Sequence, residues 1–318
     1  MKSMGWMRLC AAIACCTIAA AAMAAEALKM IIPTPPGGGT DGYFRVLARE
    51  AEPLLGEPIV ILNVPGAGGT IGVGQMVRAQ PDGQTVAAVW LGPITVSPNT
   101  MKVPYTPNDY IPIVQVSSAP YVLCVHPDFP ANDGKGLIEA LKKDPDKYTY
   151  GNDGLGGPGH LGTARILRAV NASARDVPFK GAGETLQNFL GRHVDIYVGS
   201  IPPILPHLQA GKAKCLLVTS AERVPSLPAA ASLTDIGIPN EETILWRALI
   251  APKATPPDRI AALESAFEKA ANAPASRKFL EDAGEQTVIK KGAALKRYIE
   301  AEYEAMAKLA KALNLAPQ

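Results

Sequence analysis

The amino-acid sequence predicts an α/β fold of two domains, each a mainly parallel sheet flanked by helices, and three observations carry that expectation. Short apolar runs alternate with segments of helical period. Glycine-rich turns stand where a run ends and a helix begins. The whole pattern restarts after a proline-rich stretch marked by Pro98, Pro104, Pro107 and Pro112. Nearly continuous apolar strands are what a sheet covered on both faces requires. A length of 318 residues also exceeds what one core ordinarily organises.

The first segment is read as an export signal rather than as part of the fold. Lys2 and Arg8 give a positive start, Leu9 to Ala24 an apolar run, and Ala22-Met-Ala24 and Ala25-Glu-Ala27 offer small-x-small cleavage points. The run is short against the ~20 residues of a spanning helix. Residues 1–27 are therefore assigned as signal peptide, the mature chain begins at Leu28, and the expected location is the periplasm. Of five cysteines only Cys124 and Cys215 remain, both inside apolar, strand-like runs. They are expected as buried thiols; an oxidising compartment permits a disulfide, but nothing in the sequence brings the two together. Cleavage removes Lys2, Arg8 and Glu26, so the 31 basic and 29 acidic residues become 29 and 28, without a basic tract. That balance speaks against nucleic-acid binding.

The mature elements follow in order. Leu28 to Pro33 is a strand, Thr34 to Asp41 a glycine turn, and Phe44, Val46, Leu47, Ala51, Leu54 and Leu55 give a helical period. Pro58 to Leu62, the turn Pro65 to Thr70 and the helix Ile71 to Arg78 repeat the unit, and Thr85 to Trp90 is a third strand. Two strand-like runs split by Pro120, Ile113 to Ser118 and Tyr121 to Val125, mark the first crossing between domains. The unit then restarts with helix Gly136 to Lys143, strand Tyr148 to Gly151, turn Asp153 to Pro158 and helix His160 to Val170. Strand Asp176 to Phe179, helix Gly183 to Leu190, strand Val194 to Val198, a helix near Ile204 to Ala210 and strand Cys215 to Val218 complete it. Thr243 to Ala251 is one long strand for the return crossing. The helices Pro257 to Asn272, Ala275 to Ala283 and Ala293 to Leu313 are expected to lie on a domain surface as scaffold. Domain I is thus 28–120 with 248–318, and domain II is 121–247.

Ligands of open parallel sheets bind outside the carboxyl ends of the strands, so the three glycine turns are the candidate site. Gly37, Gly38 and Gly39 expose backbone N–H groups at the positive end of a helix, and Gly66 to Gly69, including Gly68 and Gly69, offer the same chemistry. Such cradles select an anion, carboxylate or phosphate alike. Thr40 and Asp41 also read as helix caps. Gly154, Gly156 and Gly159 have dinucleotide spacing, but Asp176 begins its strand whereas a ribose-binding acid ends one, and Pro158 interrupts the turn. His160 stands at a helix start, where the dipole opposes protonation and favours a neutral N–H donor. The four histidines show no metal spacing and no nucleophile elbow is present, so neither metal nor cofactor nor catalytic activity is expected.

At this point the chain resembles a known family, the Bug or TctC-like solute-binding receptors of tripartite tricarboxylate transporters. The resemblance rests on IIPTPPGGGTD (Ile31 to Asp41), NVPGAGGTIG (Asn63 to Gly72), Pro81-Asp-Gly83, Val177 to Gly181, Leu205 to Lys212 and Leu217 to Ala221. Trp246 and Ala251-Pro252 follow, and the likeness runs from about Leu28 to the C-terminus. It implies a two-domain periplasmic-binding-protein ("Venus flytrap") fold that closes on a small carboxylate, a di- or tricarboxylate or an aromatic acid, with a membrane permease as partner; a monomer is expected because nothing in the sequence suggests an oligomeric seam. It further implies that Gly37, Gly38, Gly39 and Asp41 hold one end of the ligand and Asn152, Gly157, Gly159 and His160 the other, with Ser200 in the same cleft and Trp246 and Arg247 at its border. Relatives often carry Phe, Thr, Ser and Asp where this chain has Thr34, Gly157, Gly159 and Gly199. The missing acid at 199 argues against an amino acid, the extra glycine implies room for a larger ligand, and Arg247 could pair bidentately with a carboxylate. Two other readings stand beside this one: an exported enzyme, and a sensory protein that presents its ligand to a receptor.

Overall fold

A computed structural model describes residues 26–37, 39–152, 154, 157–179 and 182–315. Residues 1–25 of the expected export signal, Gly38, and Asp153, Leu155 and Gly156 of the third glycine turn lie outside the described residues. The strands are β1 Leu28–Ile32, β2 Ile59–Asn63, β3 Thr85–Trp90, β4 Tyr110–Val125, β5 Thr149–Asn152, β6 Arg175–Pro178, β7 Ile196–Ser200, β8 Lys214–Val218, β9 Ile244–Pro252 and β10 Lys290–Lys291. The helices are α1 Gly39–Leu55, α2 Thr70–Val77, α3 Ser97–Thr100, α4 Gly134–Lys143, α5 Pro158–Ala169, α6 Ala182–Leu190, α7 Ile201–Gln209, α8 Pro257–Asn272, α9 Pro274–Asp282 and α10 Gly292–Ala312. A π-helical turn, Gly92–Val96, leads into α3. The sequence assigns no helix here because Pro98 opens a proline-rich stretch, and Pro93 precedes it. Both sit in the first turn of their helices, where the missing N–H has no partner to lose.

The strands run in the order β2-β1-β3-β9-β4-β7-β5-β6, with β8 and β10 also paired to β4. Pairing is parallel at β1–β2, β1–β3, β5–β6 and β5–β7, as the alternation of strand and helix demands. It turns antiparallel around β4 and β9 because these strands cross from one half of the molecule to the other. The expected two runs split by Pro120 are one strand of 16 residues. Pro112 falls at a register shift and Pro120 is the last residue to pair with β9, opposite Ile244, so the missing N–H groups sit where the ladder is broken or ends. From Tyr121 onward β4 pairs instead with β7 and β8.

Each half of the sheet is covered on both faces. In β1 the side chains alternate: Leu28, Met30 and Ile32 pack with Tyr43, Phe44 and Leu47 of α1 and Leu263 and Phe267 of α8, whereas Ile31 joins Val73 and Met76 of α2 and Met306 of α10. The second half repeats this arrangement. Leu123 and Val125 lie under Leu137 of α4 and Ile166 of α5, while Val122 and Tyr197 lie under Phe189 of α6 and Ile204 of α7. Truncating one of these fully buried rings, such as Phe267, costs about 3–5 kcal/mol.

Cys124 and Cys215 face each other across β4 and β8 and form a disulfide. The pairing of two distant strands creates this proximity, so no local reading of either cysteine reveals it. The bond agrees with an oxidising compartment.

Candidate functional site

The first glycine turn is shaped by Asp41 rather than by a ligand. Asp41 is buried at 2% exposure in the first turn of α1. Its carboxylate accepts from the Gly37 N–H at 2.9 Å, from Arg45 Nε at 2.9 Å and from Asn63 Nδ2 at 2.7 Å. Asn63, the last residue of β2, also donates to the Thr34 carbonyl. Burial alone would raise the Asp41 pKa; the bonds from Arg45, Asn63 and Gly37 overcome it and hold the carboxyl at about 2. Asp41 therefore braces the turn and accepts the Gly37 N–H. Thr34 is half-buried beside it, and its hydroxyl has no partner among the described residues. Exposed Gly39 and half-buried Thr40 start α1, where N–H groups have no intrahelical acceptor.

The second turn is tightly folded. Gly68 and Gly69 have φ of 64° and 95°, and a side chain on Gly69 would run into the Trp90 ring at 2.8 Å. The Gly69 N–H donates to the Gly66 carbonyl. Trp90, at the carboxyl end of β3, thus borders the turn; no sequence motif singles it out, although its place at a strand end could have done so.

In the second half, Asn152 is fully buried at the end of β5. Its side chain donates to Asp176 and accepts from the Gly154 N–H at 2.9 Å, and its carbonyl accepts from Phe179 N and Thr185 Oγ1. The Gly157 N–H donates to the Gly154 carbonyl. The Asn152 side chain and the Gly157 N–H thus help to hold the third turn, as short polar side chains beside a turn do. Gly159 and His160 lie in the first turn of α5 behind Pro158. His160 is 7% exposed with Nε2 at 3.7 Å from Asp176 Oδ2. Burial lowers its pKa while Asp176 pulls the other way, so the imidazole is neutral at pH 7. Asp176, weighed in the sequence only as a ribose-binding acid, is the hub of this cluster.

Gly199 is closely covered by its own strand. A side chain there would meet the Tyr197 hydroxyl at 2.2 Å and its ring within 2.9 Å. Residues 197 and 199 share a strand face, and the ring folds over the glycine, with its hydroxyl donating to the Ser200 carbonyl at 3.1 Å. The volume an acid would have filled is filled by Tyr197, not left as room for a larger ligand.

Arg247 and Trp246 diverge, as neighbours in a strand must. Trp246 is buried in the core beside Tyr298, away from any cleft. Arg247 is 4% exposed on the other face. Its Nε donates to Thr40 Oγ1 at 3.0 Å, its Nη1 to Ser117 Oγ at 3.3 Å, and the two Nη atoms take the carboxylate of Glu285 between them, Nη2 to Oε1 at 3.0 Å. The bidentate partner expected from a ligand is thus supplied by the chain itself. Glu285 follows α9 in the tail expected to be scaffold only; a lone acid after a helix carries no signal in sequence.

Glu285 lines a cavity of about 340 Å3 closed by Ala119, Pro120 and Tyr121 of β4, Ser200 and Ile201 at the junction of β7 and α7, and Leu245 of β9. Both halves of the sheet contribute to it; of the expected residues Ser200 lines it, and Arg247 reaches it only through its partner Glu285. A second, charged crevice of about 590 Å3 runs between α5 and α10, where Arg165 meets Glu241 at 2.7 Å and Glu302 at 3.7 Å. Among the described residues there is no cluster of His, Cys, Asp and Glu suited to a metal ion, and no helix is long and apolar enough to cross a membrane.

Comparison with known proteins agrees with this architecture. The family described as tripartite tricarboxylate transporter family receptor (TctC) matches residues 43–315. BugT of Bordetella pertussis is 32% identical over 249 residues, 77% of this chain and 76% of that protein. Among solved structures, a TctC solute-binding protein from Polaromonas superposes with a TM-score of 0.83 at 26% identity, covering 91% of this chain and 99% of that one. The R. palustris protein Rpa4515, solved with adipate, superposes with a TM-score of 0.74 at 26% identity over 93% of this chain and 100% of that one. The chain thus shares the two-domain periplasmic-binding-protein fold of a TctC solute-binding protein. With the family match running from within α1 to beyond the end of α10, this chain belongs to the tripartite tricarboxylate transporter receptor family.

Proposed function

We propose that the protein is a periplasmic solute-binding protein that captures a small carboxylate between two lobes and presents it to the membrane permease of a tripartite tricarboxylate transporter. The observation that carries this reading is Arg247. One buried guanidinium ties Thr40, at the N-terminus of α1, to Glu285 at a cavity whose far wall is Tyr121, Ser200 and Ile201. A single site is thereby built by both halves of the sheet, which is what a protein that closes on its ligand needs. The ligand carboxylate is assigned to the start of α1, at Gly39 and Thr40, with the Gly159 and His160 amides of α5 facing from the other lobe; helix N-termini favour anions. The adipate bound by the R. palustris relative supports a carboxylate as ligand class.

The lobes are 28–120 with 248–318, and 121–247. The pairing of Pro120 with Ile244 favours drawing the return crossing at 244. Residues 1–27 direct export, and the Cys124–Cys215 bond suits the compartment reached. The protein acts as a monomer and by binding alone: closure is stabilised because the ligand touches both lobes, and no bond of the ligand is made or broken.

The test is a thermal-shift and calorimetric screen of residues 28–318 against mono-, di- and tricarboxylates, aromatic acids, amino acids and NAD(H). A ligand at one hundred times its dissociation constant adds about 2.7 kcal/mol of stability. A carboxylate is expected to raise the melting temperature. A response to NAD(H) with none to any carboxylate would replace the receptor by a dinucleotide-dependent enzyme.

A further inference from the structure

We infer that the crevice between α5 and α10 is a counter-cleft: a second seam between the lobes that opens as the ligand cleft closes, with Arg165 and Glu302 drawing it shut and so holding the ligand-free protein open. The inference rests on the two-lobe receptor reading above and adds to it a contact, remote from the ligand, that sets how readily the lobes close.

Three observations lead here. The first is a pivot. α5 belongs to the second lobe, yet Leu161 and Ala164 pack into the apolar cluster that contains Trp246 of β9 and Met306 and Leu309 of α10, and a Cβ on Gly162 would lie 3.0 Å from Thr243. The helix is thus clamped at 161–164 where the chain returns to the first lobe. Gly159 and His160, beside the third turn, lie on one side of the clamp. Arg165, Arg168 and Ala169, which line the crevice, lie on the other. At 1.5 Å of rise per residue Gly159 stands about 4.5 Å from Gly162 and Ala169 about 10 Å. A rocking movement that brings the third turn toward α1 therefore carries the far end of α5 away from α10, and by the larger amount.

The second is the character of the crevice. It holds about 590 Å3, the share of about twenty waters at ~30 Å3 each. Arg165 and Arg168 stand on its α5 wall, Glu304 and Lys308 on its α10 wall. Such a seam widens or narrows without unpacking a core, which a close-packed interior does not allow.

The third is the pair that spans it. Arg165 is fixed within its own lobe: Nε donates to Glu241, Nη1 to the Glu242 carbonyl and Nη2 to the Asn240 carbonyl, each at 2.7 Å. Glu302 faces it from the other lobe at 3.7 Å, beyond hydrogen-bond reach. Glu302 is 8% exposed, and its second carboxylate oxygen has no partner among the described residues. A buried acid with bonds unmade, just short of a guanidinium already in place, favours approach of the two walls. Closure on a ligand works against that attraction, so the pair lowers the closed population and with it the affinity.

Small-angle X-ray scattering of the ligand-free mature chain, residues 28–318, tests this at pH 8, where Glu302, pushed up to about 7 by burial, is ionised. Ala169→Trp and Ala301→Trp wedge the crevice from its two walls, and Glu302→Gln removes the attraction without adding bulk. Each is expected to lower the ligand-free radius of gyration below that of the parent, and to tighten adipate in calorimetric titrations by about threefold or more, as a larger closed population requires. Radii equal to or larger than the parent's, in variants that far-ultraviolet circular dichroism shows to be folded, overturn the inference and make the pair a fixed strut. Where a tryptophan disturbs folding, Glu302→Gln decides by the same readout. The radii are read without ligand, so they decide this inference even if no carboxylate binds and the receptor reading falls.

Discussion

Replacing Arg247 by methionine separates an architectural role from a ligand-binding one. In the folded protein the guanidinium is 4% exposed and the Glu285 side chain 13%, so removing the arginine strands a carboxylate that has almost no access to water. Breaking a buried pair by deleting one partner costs about 3–5 kcal/mol, whereas replacing both partners by apolar groups of similar size is close to neutral. Thr40 Oγ1 and Ser117 Oγ each lose a donor as well, and neither change is repaired by methionine. Arg247→Met is therefore expected to destabilise by about 3–5 kcal/mol, and Arg247→Met with Glu285→Leu to return to within about 1 kcal/mol of the parent. Urea unfolding at pH 7, followed by circular dichroism and tryptophan fluorescence, reads the difference as a shift in midpoint at constant slope. An arginine held in reserve for a ligand carboxylate would behave differently. Its removal would leave the midpoint of the ligand-free protein within about 1 kcal/mol of the parent, and that result refutes the reasoning.

Two further outcomes are expected. The Cys124–Cys215 bond spans a sequence separation of 91, and on the chain-entropy account its reduction lowers stability by about 4–5 kcal/mol; identical urea midpoints with and without reductant would contradict this. Burial pushes Glu302 up to about 7, against the pull of Arg165 and with the push of Glu242. Its folded pKa lies above the usual 4.5, so the folded protein keeps a proton that the unfolded chain releases, and stability falls as pH rises from about 4.5 to about 7, by about 3 kcal/mol, and is level above. Glu302→Gln should flatten that slope in a series of unfolding curves across the window, and an unchanged slope would show that Glu302 is not its source.

Much of the fold is legible locally. The strand Thr85–Trp90 and the helix Pro257–Asn272 have the limits that hydrophobic period and prolines give them, because both are decided by neighbours in sequence. What is not legible depends on distant partners. Nothing around Cys124 points to Cys215, since their contact exists only once β8 aligns with β4. Pro120 reads as a break, yet it ends one ladder inside a continuous strand. The site divides along the same line. Glycine turns at strand ends mark candidate anion cradles, but residue type does not tell that Asp41 accepts the Gly37 N–H or that Gly69 and Gly157 donate within their own turns. Those bonds follow from turn geometry, which the presence of glycine permits without specifying. Arg247 is conspicuous in an apolar strand, but its partner Glu285 lies 38 residues on and becomes visible only in three dimensions.

The pairing of Pro120 with Ile244 has a consequence for modularity. The chain leaves the first sheet and re-enters it at one point, so everything from 121 to 243 is an excursion whose two ends are cross-strand neighbours. A short reverse turn at that point would make β4 and β9 an ordinary hairpin and leave the first sheet's ladders otherwise complete. In genealogical terms such a segment can be gained, lost or exchanged as one piece, because nothing in the connectivity of the host sheet depends on its length. The face of the cavity formed by Ser200 and Ile201 belongs to that exchangeable piece and Glu285 to the host. Recombination between relatives at a single pair of neighbouring residues would therefore reassort the two walls of the cavity while leaving each wall intact.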